Sequence, residues 1–354
     1  MNNVVIIGGG ASGMAAAITA SEDKNNNVIL LERQQRVGKK LLSTGNGRCN
    51  LTNTGAFSGH YHGSQPGFPD AVLAGFTPDD TLRFFDKLGL SVSREYGGRV
   101  YPQSNSANSV VDVLRFALMR DNITVKTSCP ARKIERRGEG FAVLTDEGGI
   151  SADFIIVSCG GAAGARVGGV HDGYELLKPL GHKCTRLLPS LVQLITDPTY
   201  PRALKGVRVM AKLRLENDGE TLAQSGGELQ FTETGLSGPA AFDISRAAAK
   251  TGRGVIHIDL SGDTDIEYKL RTRIKNNPAL CADDALTGVL HNRLGKMTVK
   301  YAGVPGSMPL DKLTDADIAA IANACRDFAI ALRGVEDFDH AQVTAGGIKT
   351  TGVN

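Results

Sequence analysis

The chain has 354 residues, which is more than one hydrophobic core usually holds, so we expect two or three domains. Its hydrophobic content of 41% and its charged content of 22% are ordinary for a globular protein. The net charge of +3 comes without any block of lysine or arginine, and this argues against a nucleic-acid-binding protein.

The cysteines and the lack of long apolar runs bear on the location of the protein. The six cysteines are scattered and form no CxxC pair, which argues against a disulfide framework or a zinc site and for a reducing compartment. The sequence holds no apolar run of about 18 residues that would span a membrane, and it begins on an apolar strand without a basic leader. We therefore predict a cytoplasmic protein without a membrane partner.

The beginning of the chain predicts a dinucleotide-binding fold. Residues 4–7 form a continuous β-branched run, which is typical of a parallel strand buried on both faces. They lead into Gly8, Gly10 and Gly13, which match the G-x-G-x-x-G fingerprint, and a helix-prone segment follows. Such a turn and the start of its helix receive a diphosphate. The predicted binding residues here are Gly8, Gly10, Ala11, Ser12 and Gly13.

Glu32 ends a second apolar run at the position expected for a ribose-binding acid. It follows residues 28–31 and stands nineteen residues after Gly13. A carboxylate at this place accepts hydrogen bonds from the ribose hydroxyls of an adenosine. Since it also disfavours a 2′-phosphate, the ligand should be FAD or NAD rather than NADP.

The segment 43–53, STGNGRCNLTN, is polar and is interrupted by glycines. It holds too few apolar residues for a core strand or an amphipathic helix. An NAD dehydrogenase would continue with more short βα units, whereas a polar loop after the ribose acid suits a longer cofactor. The loop therefore favours FAD over NAD.

Residues 38–53, GKKLLSTGNGRCNLTN, resemble the signature of a bacterial family of NAD(P)/FAD-dependent oxidoreductases, the aminoacetone-oxidase-like flavoproteins. That family includes a flavoprotein of bile-acid dehydroxylation that reduces steroid double bonds. Similar motifs cover essentially the whole chain, at residues 98–102, 171–174, 180–182, 189–191, 227–232, 235–239 and 341–347. The resemblance implies an α/β, Rossmann-like FAD-binding domain with an inserted β-rich domain that carries a small helical subdomain.

The fingerprint and the resemblance together extend the predicted FAD site. The further residues are Glu32, Arg33, Lys40, Gly45, Asn46, Arg48, Cys49, Asn50, Ala131, Cys159 and Gly160. The resemblance gives Ala131 a backbone contact to adenine, and an ordinary strand residue is an equal alternative. Cys49 is interpreted as a packed side chain rather than a redox thiol, because it lacks a CxxC partner.

Arg48 and Lys40 are the candidate catalytic residues. Reduction of a flavin places negative charge near N1 and the C2 carbonyl, and a cation there stabilises that charge. A contact to a phosphate, or a salt bridge within the fold, is at least as good an interpretation of either side chain.

We predict that residues 1–189 form the first part of the FAD-binding domain, residues 190–338 the inserted domain, and residues 339–354 the return to the first domain. The family ends with a strand, a turn and a glycine-rich helix that contact the flavin, and this closing helix is absent from the sequence. We therefore expect a truncated chain that retains FAD poorly.

The inserted domain is predicted to combine strands and helices. Alternating apolar residues at 207–215 predict a half-buried antiparallel strand. Residues 265–274 and 283–294 predict helices, and Thr314 begins another helix with a capping box.

The predicted function is that of an FAD-dependent oxidoreductase that passes hydride through flavin N5. The substrate is predicted to be a small or steroid-like organic molecule bound between the FAD domain and the insert, and the family resemblance implies a carbonyl-conjugated alkene or an amine. NAD(P)H is left open as the reductant, because no second dinucleotide fingerprint occurs.

Two alternatives are a flavin-binding redox sensor or partner module without turnover, and a flavin-dependent RNA-modifying protein. No metal site is predicted, since His60 and His62 have no third ligand in a recognisable motif. The oligomeric state stays open.

Overall fold

The computed structural model describes residues 1–56, 60–63, 65 and 67–352. Over these residues the chain divides into two compact units, one of Met1–Arg186 with Gly346–Asn354 and the other of Leu187–Ala345. The end of the predicted return segment, residues 353–354, lies outside the described residues. The predicted domain bounds remain a prediction.

The first unit is built on a parallel sheet with helices beside it. Its elements are β1 (Asn2–Ile7), α1 (Ala11–Ala20), β2 (Asn26–Leu31), β3 (Thr52–Asn53), α2 (Phe68–Gly75), α3 (Pro78–Lys87), β4 (Val92–Arg94), β5 (Arg99–Pro102), α4 (Ala107–Ala117), β6 (Ile123–Lys126), β7 (Ala131–Arg137), β8 (Gly140–Thr145), β9 (Gly148–Ala152), β10 (Phe154–Val157) and α5 (Asp172–Leu177). The parallel strands follow the order β10-β1-β2-β6. Strands β3, β5 and β4 form a small antiparallel sheet.

The first strand is apolar throughout because both of its faces are covered. Val4 and Ile6 pack with buried residues of α1 and α4. Val5 and Ile7 pack on the opposite face with the antiparallel meander β7-β8-β9. This is the burial that a continuous β-branched run predicts for a parallel strand, and the predicted α/β, Rossmann-like class is confirmed.

The second unit is built on a closed antiparallel barrel. Its elements are β11 (Leu188–Ser190), β12 (Leu194–Thr196), α6 (Thr199–Ala203), β13 (Arg208–Asn217), β14 (Glu220–Phe231), β15 (Gly235–Ser237), α7 (Pro239–Thr251), β16 (Gly254–Asp259), α8 (Ile266–Asn276), α9 (Asn292–Tyr301), α10 (Asp315–Arg326), β17 (Phe328–Val335) and β18 (Val343–Ala345). The barrel order is β12-β15-β14-β13-β16-β17. Along β13, Ala211, Leu213 and Leu215 are buried and Met210 is exposed, so the alternation predicted at residues 207–215 is confirmed.

Two of the three predicted helices of the second unit are present in the described residues. Helix α8 matches the predicted range 265–274, because it begins one residue later and ends two residues beyond it. Helix α10 begins with the predicted capping box, in which the Thr314 hydroxyl accepts from the Asp317 backbone N–H and the Asp317 carboxylate accepts from the Thr314 backbone N–H.

The helix predicted at residues 283–294 is wrong. A short 3-10 turn at Ala282–Asp284 is followed by Gly288 in the left-handed conformation, with φ of 81°. A right-handed helix cannot continue through such a residue. The helix begins only after His291, whose side chain accepts from the Arg293 backbone N–H.

A substitution of Phe231 tests which residues form the core of the barrel. Its side chain is fully buried among the apolar residues of the second unit. Replacing Phe231 by alanine should lower the free energy of unfolding by about 3–5 kcal/mol, because the surrounding residues cannot fill the cavity. Urea unfolding measures this change. Met210→Ala is the control, and since that side chain is 69% exposed its effect should stay within about 0.5 kcal/mol. Equal effects of both changes would contradict this assignment of the core.

Candidate active site

A cavity of about 560 Å³ lies in the first unit, at the carboxyl ends of β1, β2 and β10. Ligands of open parallel sheets bind at this edge. The volume falls within the range of about 300–1,000 Å³ that is usual for cofactor and small-molecule pockets.

The fingerprint turn forms one wall of the cavity. Gly8, Gly10, Ala11 and Ser12 line it, whereas Gly13 packs behind the turn. A Cβ atom on Gly13 would stand 1.8 Å from the carbonyl oxygen of Gly8, so only glycine lets α1 lie this close. No heavy atom of the described residues lies within 4 Å of the position that a Cβ on Gly10 would take. The backbone there borders open space beside the positive end of α1, as a diphosphate requires.

The carboxylate of Glu32 is fixed in the cavity by backbone N–H groups. Its Oε2 accepts from the backbone N–H of Gly9, with N···O of 2.8 Å, and its Oε1 accepts from that of Gln34, with N···O of 2.7 Å. The residue is 9% exposed and lines the cavity. Each carboxylate oxygen keeps a further lone pair, with which it can accept a hydrogen bond from a ribose hydroxyl.

Lys40 brings a positive charge to the cavity. Its Nζ donates to the carbonyl oxygen of Ala163 at 2.8 Å and lies 3.5 Å from that of Gly161. Within the described residues, no carboxylate lies at ion-pair distance from this ammonium group. Burial lowers the pKa of Lys40. A half-buried ammonium without a carboxylate is stabilised by an anion from outside the chain, and a diphosphate is such an anion.

The other predicted residues at the cavity are Arg33, Ala131, Cys159 and Gly160. Arg33 forms an ion pair with Asp172, with Nη1···Oδ2 of 2.9 Å. Burial raises the pKa of the Cys159 thiol to about 11, so that this thiol stays neutral at ordinary pH. Ala131 begins β7 at a register shift, and its predicted contact to adenine remains a prediction.

The loop 43–50 reaches the cavity only in part. Thr44 lines the cavity, whereas the further predicted residues of the loop are not among its lining residues: Gly45, Asn46, Arg48, Cys49 and Asn50. Asn46 and Cys49 have positive φ values of 56° and 60°. For residues other than glycine this conformation costs about 1–3 kcal/mol, and such strain concentrates at functional sites. Contact between this loop and a cofactor remains a prediction.

Arg48 and Cys49 differ in their surroundings. Arg48 pairs with the carboxylate of Glu95 and donates to the side-chain oxygen of Asn105. Cys49 is 3% exposed and packs in the core between the sheet and its helices. Burial raises the pKa of its thiol, and a hydrogen bond with Thr44 opposes that shift. The surroundings of Cys49 are those of a packed side chain.

Several cavity residues were missed by reasoning from the sequence. Ser158 donates to the carbonyl oxygens of Ile7 and Gly8 at 3.0 Å and so ties the end of β10 to the end of β1. It stands directly before the predicted Cys159, and this adjacency was a usable signal. Asp172 lies 139 residues from its partner Arg33, and no spacing rule connects the two.

The two histidines considered in the sequence do not line the cavity. His60 and His62 are exposed, and the described residues contain no cluster of three His, Cys, Asp or Glu side chains able to hold a metal ion. Among the helices that the structure describes, none is long and apolar enough to cross a membrane.

Comparison with known proteins finds two distant similarities. The crystal structure of THI4 from Thermovibrio ammonificans is similar to this chain with a TM-score of 0.35 and 13% identity, over 58% of this chain and 70% of that chain. The ribosomal RNA dihydrouridine synthase of Escherichia coli is 26% identical over 89% of this chain and 78% of its own length.

A family model and a closer relative cover nearly the whole chain. Residues 2–354 match the HI0933-like protein Rossmann domain. The 3-dehydro-bile acid delta(4,6)-reductase of Clostridium scindens is 34% identical over 90% of this chain and 80% of its own length. The predicted resemblance is thereby confirmed. The chain belongs to the HI0933-like Rossmann FAD-binding family and is a flavin-dependent oxidoreductase.

Proposed function

We propose that the chain is an FAD-dependent reductase that adds two hydrogen atoms across a carbon–carbon double bond conjugated to a carbonyl group. The observation that carries the cofactor site is the ammonium of Lys40, which has no carboxylate partner in the described residues and lines the same cavity as Gly10 and Glu32. A positive charge, an open backbone and a ribose acceptor in one cavity match the diphosphate and adenosine of FAD.

The names of two relatives support the substrate class. One is named for reducing the Δ4,6 double bonds of a 3-dehydro bile acid, and the other for making dihydrouridine in ribosomal RNA. In both of the reactions so named, a double bond conjugated to a carbonyl group becomes saturated. The higher identity of the bile-acid enzyme and the net charge of +3 without a basic block favour a small or steroid-like molecule over RNA.

Different residues of the first unit would hold different parts of the cofactor. The start of α1 and Lys40 bind the diphosphate, and Glu32 accepts hydrogen bonds from the ribose. Ala131 would border the adenine. The backbone of the loop with Gly45, Asn46, Cys49 and Asn50, which follows Thr44 of the cavity wall, would hold the flavin end. FAD, when bound, supplies hydride through N5. A reductase needs an electron donor, and we propose NAD(P)H for that role.

The affinity for FAD should fall at alkaline pH. Burial lowers the pKa of Lys40 below its ordinary value of 10.5 in the FAD-free chain, and a bound diphosphate favours the charged form. The affinity is therefore constant below the lowered pKa and decreases as the pH rises through it. Titrations of wild type and Lys40→Met with FAD across this range measure the effect. If both profiles have the same slope, Lys40 does not bind the diphosphate.

The substrate class is tested by oxidising the reduced protein without oxygen. The FAD-loaded chain is reduced with NADPH or NADH and mixed with a conjugated 3-oxo steroid, a uridine-containing RNA or the saturated ketone as control. We expect the conjugated steroid to restore the oxidised flavin spectrum and the saturated ketone to leave the flavin reduced. Reoxidation by the RNA alone would replace the proposal by an RNA-modifying function. Reduction of the oxidised flavin by an amine would indicate an amine oxidase, and a reduced flavin that no substrate oxidises would indicate a redox sensor.

A further inference from the structure

The side chain of Arg48 is held on several sides by the chain itself. Its Nη2 pairs with the Glu95 carboxylate and its Nε donates to the side-chain oxygen of Asn105. The guanidinium carbon lies 3.9 Å from the centroid of the Tyr101 ring, which is within the range of a cation–π contact. Arg48 and Glu95 are 30% and 38% exposed, so water only partly screens this pair.

The loop wraps around the same tyrosine that Arg48 covers. A Cβ atom on Gly45 would stand 3.1 Å from Cε1 of Tyr101 and 2.8 Å from the backbone N of Asn50. Glycine is therefore required where the loop passes the ring. Tyr101 is 6% exposed, and both Gly45 and Arg48 pack against its ring.

The backbone around Gly45 and Arg48 is strained. Asn46 and Cys49 are left-handed, and the turn is closed by backbone hydrogen bonds from Arg48 to Gly45 and from Cys49 to Thr44. Strained backbone persists only where the surroundings hold it. The contacts of Arg48 provide that restraint next to Thr44, which lines the cavity.

We propose that Arg48 is a positioning residue, which holds the loop 43–50 in its left-handed conformation for the cofactor, and that its charge does not act on the flavin. Glu95 neutralises the guanidinium, and the planar side chain is occupied by Asn105 and Tyr101. The backbone of the loop, rather than the Arg48 cation, then meets the flavin. This inference rests on the proposed binding of FAD at the cavity.

The test is a double-mutant cycle on FAD affinity and on the midpoint potential of the bound flavin. Arg48→Met should weaken FAD binding about tenfold, and the isosteric Glu95→Gln about fivefold, which are the scales of a partly exposed ion pair with a cation–π contact. The double variant should bind no more weakly than Arg48→Met, because both changes remove one restraint. The affinities for oxidised and reduced FAD should fall by the same factor, so the midpoint potential stays unchanged.

Two further variants separate position from charge. Arg48→Lys keeps the positive charge but cannot make the planar contacts, and it should bind FAD as weakly as Arg48→Met. Arg99→Met removes an exposed arginine on β5 and should leave FAD affinity unchanged. If Arg48→Met fails to fold, the FAD affinities of Arg48→Lys and Glu95→Gln still separate the effect of position from that of charge.

Three results would overturn the positioning role. These are full rescue by Arg48→Lys, a loss of affinity for reduced FAD at least tenfold larger than for oxidised FAD, or no effect of Arg48→Met on binding. Failure of the underlying FAD site is distinguishable, because the wild-type chain itself would then show no saturable FAD binding.

Discussion

Replacing Gly13 by alanine is expected to destabilise the first unit and abolish FAD binding, whereas Gly10→Ala should affect binding alone. A Cβ atom on Gly13 would stand 1.8 Å from the Gly8 carbonyl oxygen, so α1 must move away from β1. The free energy of unfolding should fall by about 3 kcal/mol or more, at the upper end of the cost of overpacking. Thermal unfolding and titration with FAD measure the two effects.

Gly10 is the matched comparison because its backbone accepts any side chain. Its φ of −78° and ψ of −169° are extended, and a Cβ there meets no described heavy atom within 4 Å. The stability of the FAD-free Gly10→Ala chain should change by less than about 0.5 kcal/mol. The added methyl group occupies space needed by the diphosphate, and FAD affinity should fall about 10- to 100-fold, equivalent to about 1.4–2.8 kcal/mol. Unchanged affinity of Gly10→Ala would mean that no ligand approaches this backbone.

Lys40→Met should have opposite effects on FAD binding and on the stability of the FAD-free chain. Hydrogen bonds to charged groups contribute about 1.5–3 kcal/mol, so FAD affinity should fall by about 10- to 150-fold. In the FAD-free chain the same change removes a half-buried charge whose Nζ contacts only carbonyl oxygens within the described residues. The melting temperature without FAD should therefore stay the same or rise.

The control for this change is an exposed lysine of the same unit. Lys24 is exposed, and Lys24→Met should alter neither FAD affinity nor stability. A lower melting temperature of the FAD-free Lys40→Met chain, with normal FAD affinity, would show that Lys40 is a structural residue that holds the carbonyl groups of Gly161 and Ala163.

The parts of the fold that the sequence predicts are those that depend on neighbouring residues. The strand, glycine turn and helix at the start of the chain follow one another directly, and Glu32 stands at a known spacing from Gly13. The alternating pattern of β13 and the capping box at Thr314 are equally local. In each case a short-range rule determines the structure.

The parts that the sequence could not predict depend on distant residues or on a single backbone conformation. The predicted helix at 283–294 failed because Gly288 adopts a left-handed turn that apolar periodicity does not reveal. Arg33 meets Asp172 across 139 residues. Arg48 has two partners, Glu95 and Asn105, which also come from separate segments. The sequence therefore left a salt bridge and a catalytic cation as open alternatives for Arg48.

The proposed function requires that the cavity of the first unit binds the adenosine diphosphate end of FAD. The most direct test is a titration of the chain with FAD followed by competition with ADP and, separately, with FMN. We predict one FAD per chain, displaced competitively by ADP and not by FMN, because the cavity is lined by the fingerprint turn, Glu32 and Lys40. Displacement by FMN but not by ADP, or no saturable binding of FAD, would contradict the account.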